Sequence, residues 1–201
     1  LACGTGPHIR HFLDAGYQSS GLDLNQPMLD KAQQRCPEAS FMLQNMCDFS
    51  LAEPVDLITC FLYSIHYSAS TMQLQQCISS VFNALTAGGM FCFNAVDKDK
   101  ICNSSLVRHS THHLDSQFVF ESGWYYAGSG EQQSLKLSIA KINEATTELW
   151  RDEHPMVAIS FHQLQALLSP FFEVHILAHQ YDNIVPWDQA SGNALFVCIK
   201  R

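Results

Sequence analysis

Charge is scarce in this 201-residue chain, and basic charge most of all: eleven Lys and Arg stand against nineteen Asp and Glu, a formal net charge of −8. Proteins that grip a phosphate backbone carry a basic face, and here the few cations are scattered, so nucleic acid is not an expected partner. Also missing is any apolar run of the length a membrane span requires, so no membrane partner is expected. Cysteine is not scarce, at eight residues, yet no two form a C-x-x-C pair and none groups with histidine at zinc-ligand spacing. Cys60, Cys92 and Cys198 lie in apolar, strand-like runs, and Cys77 falls on the apolar stripe of a helix. Buried free thiols in a reducing, cytoplasmic setting are therefore expected rather than a disulfide scaffold. His109, His112 and His113 crowd a polar segment without matching ligands elsewhere, and no metal site is expected.

The length suits one globular domain. In the first hundred residues strand-like and helix-like stretches alternate: a helix over 7–15 stopped by Gly16, a strand over 19–24, and a helix capped by Asn25 with Pro27 in its first turn. Strands over 40–43 and 55–61 follow, then Leu74, Cys77, Ile78, Val81, Phe82 and Leu85 recur at helical spacing. Ala87-Gly88-Gly89 breaks that helix before a strand over 90–95. Apolar, unalternating strands joined by helices imply a parallel sheet covered on both faces. From residue 100 the pattern changes to alternating strands over 118–126, 135–142 and 146–151, an antiparallel insertion; helix 161–168 and strands 171–177 and 193–200 complete the chain. The expectation is an α/β, Rossmann-like, mostly parallel seven-stranded sheet with helices on both faces and an antiparallel β insertion. It forms one domain over 1–201, with a cofactor-binding half (1–100), an acceptor-side insertion (101–155) and a C-terminal helix and strands (156–201). Leu1 to Cys3 read as the end of a strand, and strands of this kind usually run about five to six residues. Further residues upstream of Leu1 are therefore expected.

The chemistry concentrates in the opening Leu1-Ala2-Cys3-Gly4-Thr5-Gly6, which runs from strand into helix. Gly4 and Gly6 let the backbone approach a ligand, and a helix start presents unpaired N–H groups. Asp23 ends the next strand, where a carboxylate can accept from both hydroxyls of a ribose. A nicotinamide cofactor would suit the same pair of features, but its fingerprint wants a third glycine where this chain has Ile9. An NAD(P)-dependent oxidoreductase, and a cofactor-binding module without turnover, stay as alternatives.

These segments, with GLDLNQPMLDKA, Gln44-Asn45-Met46-Cys47-Asp48-Phe49, Pro54-Val55-Asp56-Leu57-Ile58 and Leu85-Thr86-Ala87-Gly88-Gly89, resemble the ordered motif series of class I S-adenosylmethionine-dependent methyltransferases. Within that class the chain is similar to the amino-sugar N,N-dimethyltransferases. The resemblance implies S-adenosylmethionine as cofactor, S-adenosylhomocysteine as product, and methyl transfer to N or O of a small-molecule acceptor. It places the cofactor's methionine part against Ala2, Cys3 and Gly4 in the turn completed by Gly6, its ribose on Asp23, and Leu24 and Met28 near the adenine. Asn45 stands where the family usually has an Asp, so its contact with the adenine amino group would lack charge. Met46 would offer a backbone N–H, and Cys60 would face the cofactor from below. On the acceptor side the resemblance points to 61–67, with His66 and Tyr67 as the catalytic candidates. From the insertion, Trp124 and His154 are the candidate substrate-binding residues. The acceptor's identity and the oligomeric state are not legible.

Overall fold

The computed structural model describes residues 1–180 and 182–201. Two βαβ units open the chain. Strand β1 (Ser20–Asp23) leads through helix α2 (Gln26–Arg35) to a parallel partner, β2 (Ser40–Leu43), with Ser20 opposite Ser40 and Asp23 opposite Leu43. Helix α1 (Pro7–Asp14) precedes them; it starts on a proline, which needs no donor there, and stops before Gly16 at φ 88°. Helix α2 begins where Asn25 accepts from the Met28 N–H at 3.1 Å, and it buries Leu29 and Ala32.

In the second unit β3 (Val55–Cys60) is joined by α3 (Thr71–Ala84) to its parallel neighbour β4 (Leu85–Val96). The helix ends at Ala84, and Leu85 to Gly89 already belong to the strand, five residues earlier than the Ala-Gly-Gly breaker implied. A register shift between Val55 and Leu57 absorbs the irregular start. Helix α4 (Phe161–Leu168) carries a capping box between Ser160 and Gln163, and β9 (Phe172–Ala178) and β10 (Asn193–Lys200) finish the sheet. β10 inserts between β4 and β9, antiparallel to both. Leu74, Ile78 and Val81 of α3 and Leu164 and Leu168 of α4 share one core with Phe91, Phe93 and Phe196, the last two stacked 5.0 Å apart. Each such ring contributes about 1.5–3 kcal/mol by leaving water.

The seven-stranded sheet expected from the sequence is instead two pieces, β1–β2 and β3–β4–β10–β9, with as many antiparallel pairs as parallel ones. Residues 1–3 run between the pieces, Leu1 donating to Thr59 O at 2.6 Å and Cys3 N–H to Leu22 O at 3.0 Å. With one bond to each side they bridge the two pieces without forming a ladder.

Between β4 and α4 stands an antiparallel meander of four strands, β5 (Val107–His113), β6 (Ser116–Tyr126), β7 (Gln132–Ile142) and β8 (Thr147–Val157), in sequence order. The sequence pointed to three. All seven residues of β5 are exposed, so it lacks the apolar alternation that reveals a strand and exists through its pairing with β6. β8 runs six residues past Arg151, through Pro155, which an edge strand tolerates.

Candidate active site

The glycine turn, Asp23, the residues after β2 and the segment after β3 all gather at the carboxyl ends of parallel strands, where open α/β sheets take ligands. In the turn Ala2, Gly4 and Gly6 have φ of 48°, 54° and 76°. Gly6 is required twice, since a Cβ there would also stand 3.2 Å from the Ala32 Cβ of α2. Gly21 is required by contact alone: its Cβ would meet the Cys3 Sγ at 2.7 Å. Asp23 ties the turn to the next helix, one carboxylate oxygen accepting from the Gly4 N–H (2.8 Å) and the other from the Asn25 N–H (2.9 Å). An ionised carboxylate has about four lone-pair directions, so two remain. Burial, then the charge of Asp23, pushes the Cys3 thiol up to about 11, so it stays protonated.

Around Asp23 the surface is apolar. Leu24 is 67% exposed, Met28 43% and Leu43 56%, Leu43 lying opposite Asp23 in the ladder. Leu43 was not singled out from the sequence; its exposed place at a strand end is the signal that the fold adds. Asn45 is exposed, and its side-chain oxygen accepts from the Cys47 N–H at 2.9 Å, closing a tight turn with Asp48. Met46 is buried beside it. Cys60 is placed differently from the sequence reading: it has no exposed surface, and burial raises its thiol to about 11. It belongs to the core under the site.

After β3 the backbone turns sharply. Leu62 and Tyr63 are consecutive left-handed residues, at φ 56° and 61°, before a 3-10 turn over Ser64–Tyr67. Non-glycine residues held there cost about 1–2 kcal/mol each. The Tyr63 N–H donates to Asn94 Oδ1 (3.2 Å), Asn193 Nδ2 donates to the Tyr63 hydroxyl (2.6 Å), and Trp124 meets the Tyr63 ring edge-on at 5.4 Å. Tyr63, Asn94 and Asn193 escaped sequence reasoning, although Asn94 in the apolar Phe91-Cys92-Phe93-Asn94-Ala95 run was a visible anomaly.

His66 does not fit the catalytic role expected of it. It is fully buried; its Nε2 accepts from the Val96 N–H at 3.0 Å, so Nδ1 carries the proton and donates to Val157 O at 3.0 Å. Burial holds the ring down at about 4, hence neutral. With both nitrogens engaged, it joins β4 to β8 and has nothing to offer a substrate. Its neighbour Tyr67 is half-exposed, and its hydroxyl hydrogen-bonds His154 Nδ1, while His154 Nε2 lies 3.1 Å from Asp152 Oδ2. The fold thus brings together two of the acceptor-side candidates, 87 residues apart in sequence, and adds Asp152. Trp124 lies nearby, 5.7 Å from the His66 ring.

Among the described residues no three His, Cys, Asp or Glu side chains are grouped to hold a metal. His109 stacks on Phe120, and strand alternation sends His112 to the opposite face of β5. The described cysteines are all free, and no helix among the described residues is long and apolar enough to cross a membrane.

Residues 1–89 match the profile of a methyltransferase domain. The chain is 32% identical over 90 residues to a dTDP-4-amino-2,3,4,6-tetradeoxy-D-glucose N,N-dimethyltransferase from Saccharopolyspora spinosa, covering 45% of this chain and 36% of that protein. It is equally identical over 90 residues to a dTDP-3-amino-3,4,6-trideoxy-alpha-D-glucopyranose N,N-dimethyltransferase from Streptomyces venezuelae, covering 45% and 38%. The alignments thus span little more than a third of these curated relatives. Among solved structures, a SAM-bound amino pentose methyltransferase from Micromonospora echinaspora superposes with a TM-score of 0.85 at 16% identity, over all of this chain and 81% of that one. A glycine turn, a carboxylate with lone pairs to spare and the matched profile occupy the same stretch of sequence, and through residues 1–89, somewhat less than half of its length, the chain is similar to the methyltransferase domain family.

Proposed function

We propose that the chain transfers a methyl group from S-adenosylmethionine to the amino nitrogen of a nucleotide-linked amino sugar. The observation that carries the cofactor half is the Asp23 carboxylate, fixed by Gly4 and Asn25 with lone pairs to spare, beside the exposed Leu24, Met28 and Leu43. These residues fit the group: Asp23 would hold the ribose, the three apolar side chains with the Asn45–Met46 backbone would flank the adenine, and Ala2, Cys3 and Gly4 would line the methionine part. The names of the similar dimethyltransferases support the acceptor class. Bound there, S-adenosylmethionine supplies a methyl carbon already activated by its sulfonium. What is left to the chain is to hold the acceptor nitrogen in line and keep it unprotonated, and positioning accounts for most of the rate. In this reading residues 1–100 bind the cofactor, 101–155 cover the acceptor and 156–201 complete the sheet, with Trp124 and Tyr63 as an aromatic wall. No nucleic-acid partner is proposed, in keeping with the charge of −8. A cytoplasmic location is proposed on the free thiols.

Calorimetry with S-adenosylhomocysteine and with NAD tests the cofactor; mass spectrometry of a dTDP-amino-sugar panel, seeking gains of one or two methyl groups, tests the acceptor. Binding of NAD and not S-adenosylhomocysteine would overturn the first half. Cofactor binding with methylation of a phenol and of no amine would overturn the second.

A further inference from the structure

Tyr67, His154 and Asp152 form a continuous hydrogen-bonded chain from the segment after β3 to the surface of the meander. We propose that this chain is the proton exit of the methyl transfer: Tyr67 takes the proton from the acceptor's ammonium nitrogen while passing its own to His154, and Asp152 steadies the imidazolium so formed. The proposal rests on the amine-methylating reading above and deepens it.

Protonation states follow from the donor and acceptor inventory. Ionised Asp152 can only accept, so the nitrogen facing it, Nε2, carries the hydrogen. Nδ1 of a neutral ring is then an acceptor, and the Tyr67 hydroxyl donates to it. The resting chain is already polarised in the direction a proton must travel. Burial, then the charge of Asp152, holds the Tyr67 phenol above its ordinary value, so a standing tyrosinate is not the base. The phenol instead works as a relay, gaining one proton as it gives up another. In the step an N–H bond of the acceptor ammonium breaks and its electron pair stays on nitrogen, ready for the methyl carbon. An O–H bond forms on Tyr67 as its original one breaks, and a new N–H bond forms at His154 Nδ1. The surplus proton leaves to water from the imidazole, whose side chain is 29% exposed beside an Asp152 side chain that is 73% exposed.

Placement supports the same assignment. Tyr67 lies at the carboxyl edge of the parallel strands with the Gly4 turn, whereas His154 and Asp152 come from alternate positions of β8 and share one face of the meander. Neighbouring His66, sealed and neutral, cannot substitute for either.

The test has two independent arms. Without cofactor or acceptor, ¹⁵N NMR of His154 should report the Nε2–H tautomer, with the Nδ1 resonance moving in Tyr67→Phe; an Nδ1–H tautomer would overturn the relay. With a methylated acceptor in hand, His154→Ala should lower kcat by about 100-fold, within the usual range for acid–base groups. S-adenosylhomocysteine affinity should stay within about twofold, since no binding contact is removed. Added imidazole should restore a substantial part of the lost rate. Tyr67→Phe and His154→Ala enzymes with wild-type kcat, or no rescue by imidazole in a folded His154→Ala, would overturn it. Failure of wild-type protein to bind S-adenosylhomocysteine would instead defeat the functional reading, leaving the NMR arm intact.

Discussion

Replacing Asp23 with alanine separates its bracing of the glycine turn from the ribose contact proposed for it. In the free protein the two oxygens hold the Gly4 and Asn25 N–H groups at 2.8 and 2.9 Å; in the proposed complex the remaining lone pairs accept from two ribose hydroxyls. Hydrogen bonds to a charged acceptor are worth about 1.5–3 kcal/mol each and do not add fully. Loss of the ribose pair should therefore raise the Kd for S-adenosylhomocysteine by about 10- to 1000-fold. The two backbone donors are only partly buried and can turn to water, so stability should fall by about 1 kcal/mol, at the low end for an abandoned donor. For a chain of this size that is a drop in Tm of roughly 2–4 °C. Isothermal calorimetry gives the first number and a melting curve the second. A lower Tm with unchanged affinity would mean that Asp23 only braces the turn, and the ribose assignment would fail.

Gly21→Ala should cost about 1–3 kcal/mol, a typical overpacking penalty, because its Cβ would collide with Cys3 Sγ at 2.7 Å; urea denaturation with an unchanged midpoint would show that the Leu1–Gly4 segment yields freely. His66, held at about 4 by burial against about 6.5 unfolded, stabilises the fold fully above pH 6.5. As the unfolded chain takes up the proton first, about 3 kcal/mol should be lost between pH 6.5 and 4. An NMR titration finding the folded ring protonated at pH 6 would refute this. Asn45→Asp keeps the acceptor for the Cys47 N–H and adds a charge, so S-adenosylhomocysteine binding should stay equal or tighten; a clear loss in calorimetry would give Asn45 a different task.

The elements with local chemistry were legible in the sequence. Asn25 and Pro27 marked the start of α2, and the strands and helix at 40–43, 161–168 and 193–200 fall where their patterns put them. β5 was not legible because Val107-Arg108-His109-Ser110-Thr111-His112-His113 buries nothing and owes its conformation to β6. The pairing of the glycine turn with Asp23 was legible because a glycine-rich turn and a carboxylate ending the next strand are both local signals, and the Gly4 N–H does donate to Asp23 at 2.8 Å. The acceptor side was not: Asp152 meets His154 on the meander, and Tyr67 reaches them only once β8 folds back across 87 residues. His66 was misread because a histidine beside a suspected site looks the same in sequence whether it is sealed or open. Only the backbone groups of Val96 and Val157, both distant in the chain, decide it.

The consecutive left-handed residues Leu62 and Tyr63 have a consequence for anyone seeking a heat-resistant version of this protein. A survey of stabilising substitutions would rank Leu62→Gly highly, since glycine relieves the left-handed conformation and Leu62 is largely exposed. Yet the same bend sets the direction of the Tyr63 ring against Trp124 and the approach of the 3-10 turn that carries Tyr67. Glycine would permit many other paths through that bend, and the extra freedom would fall on the Tyr63–Trp124 pair proposed to wall the acceptor. Robustness gained at this position would be expected to come with looser discrimination among acceptors, so a thermostabilisation effort does better to work in α2 and the outer face of α3 and leave the bend alone.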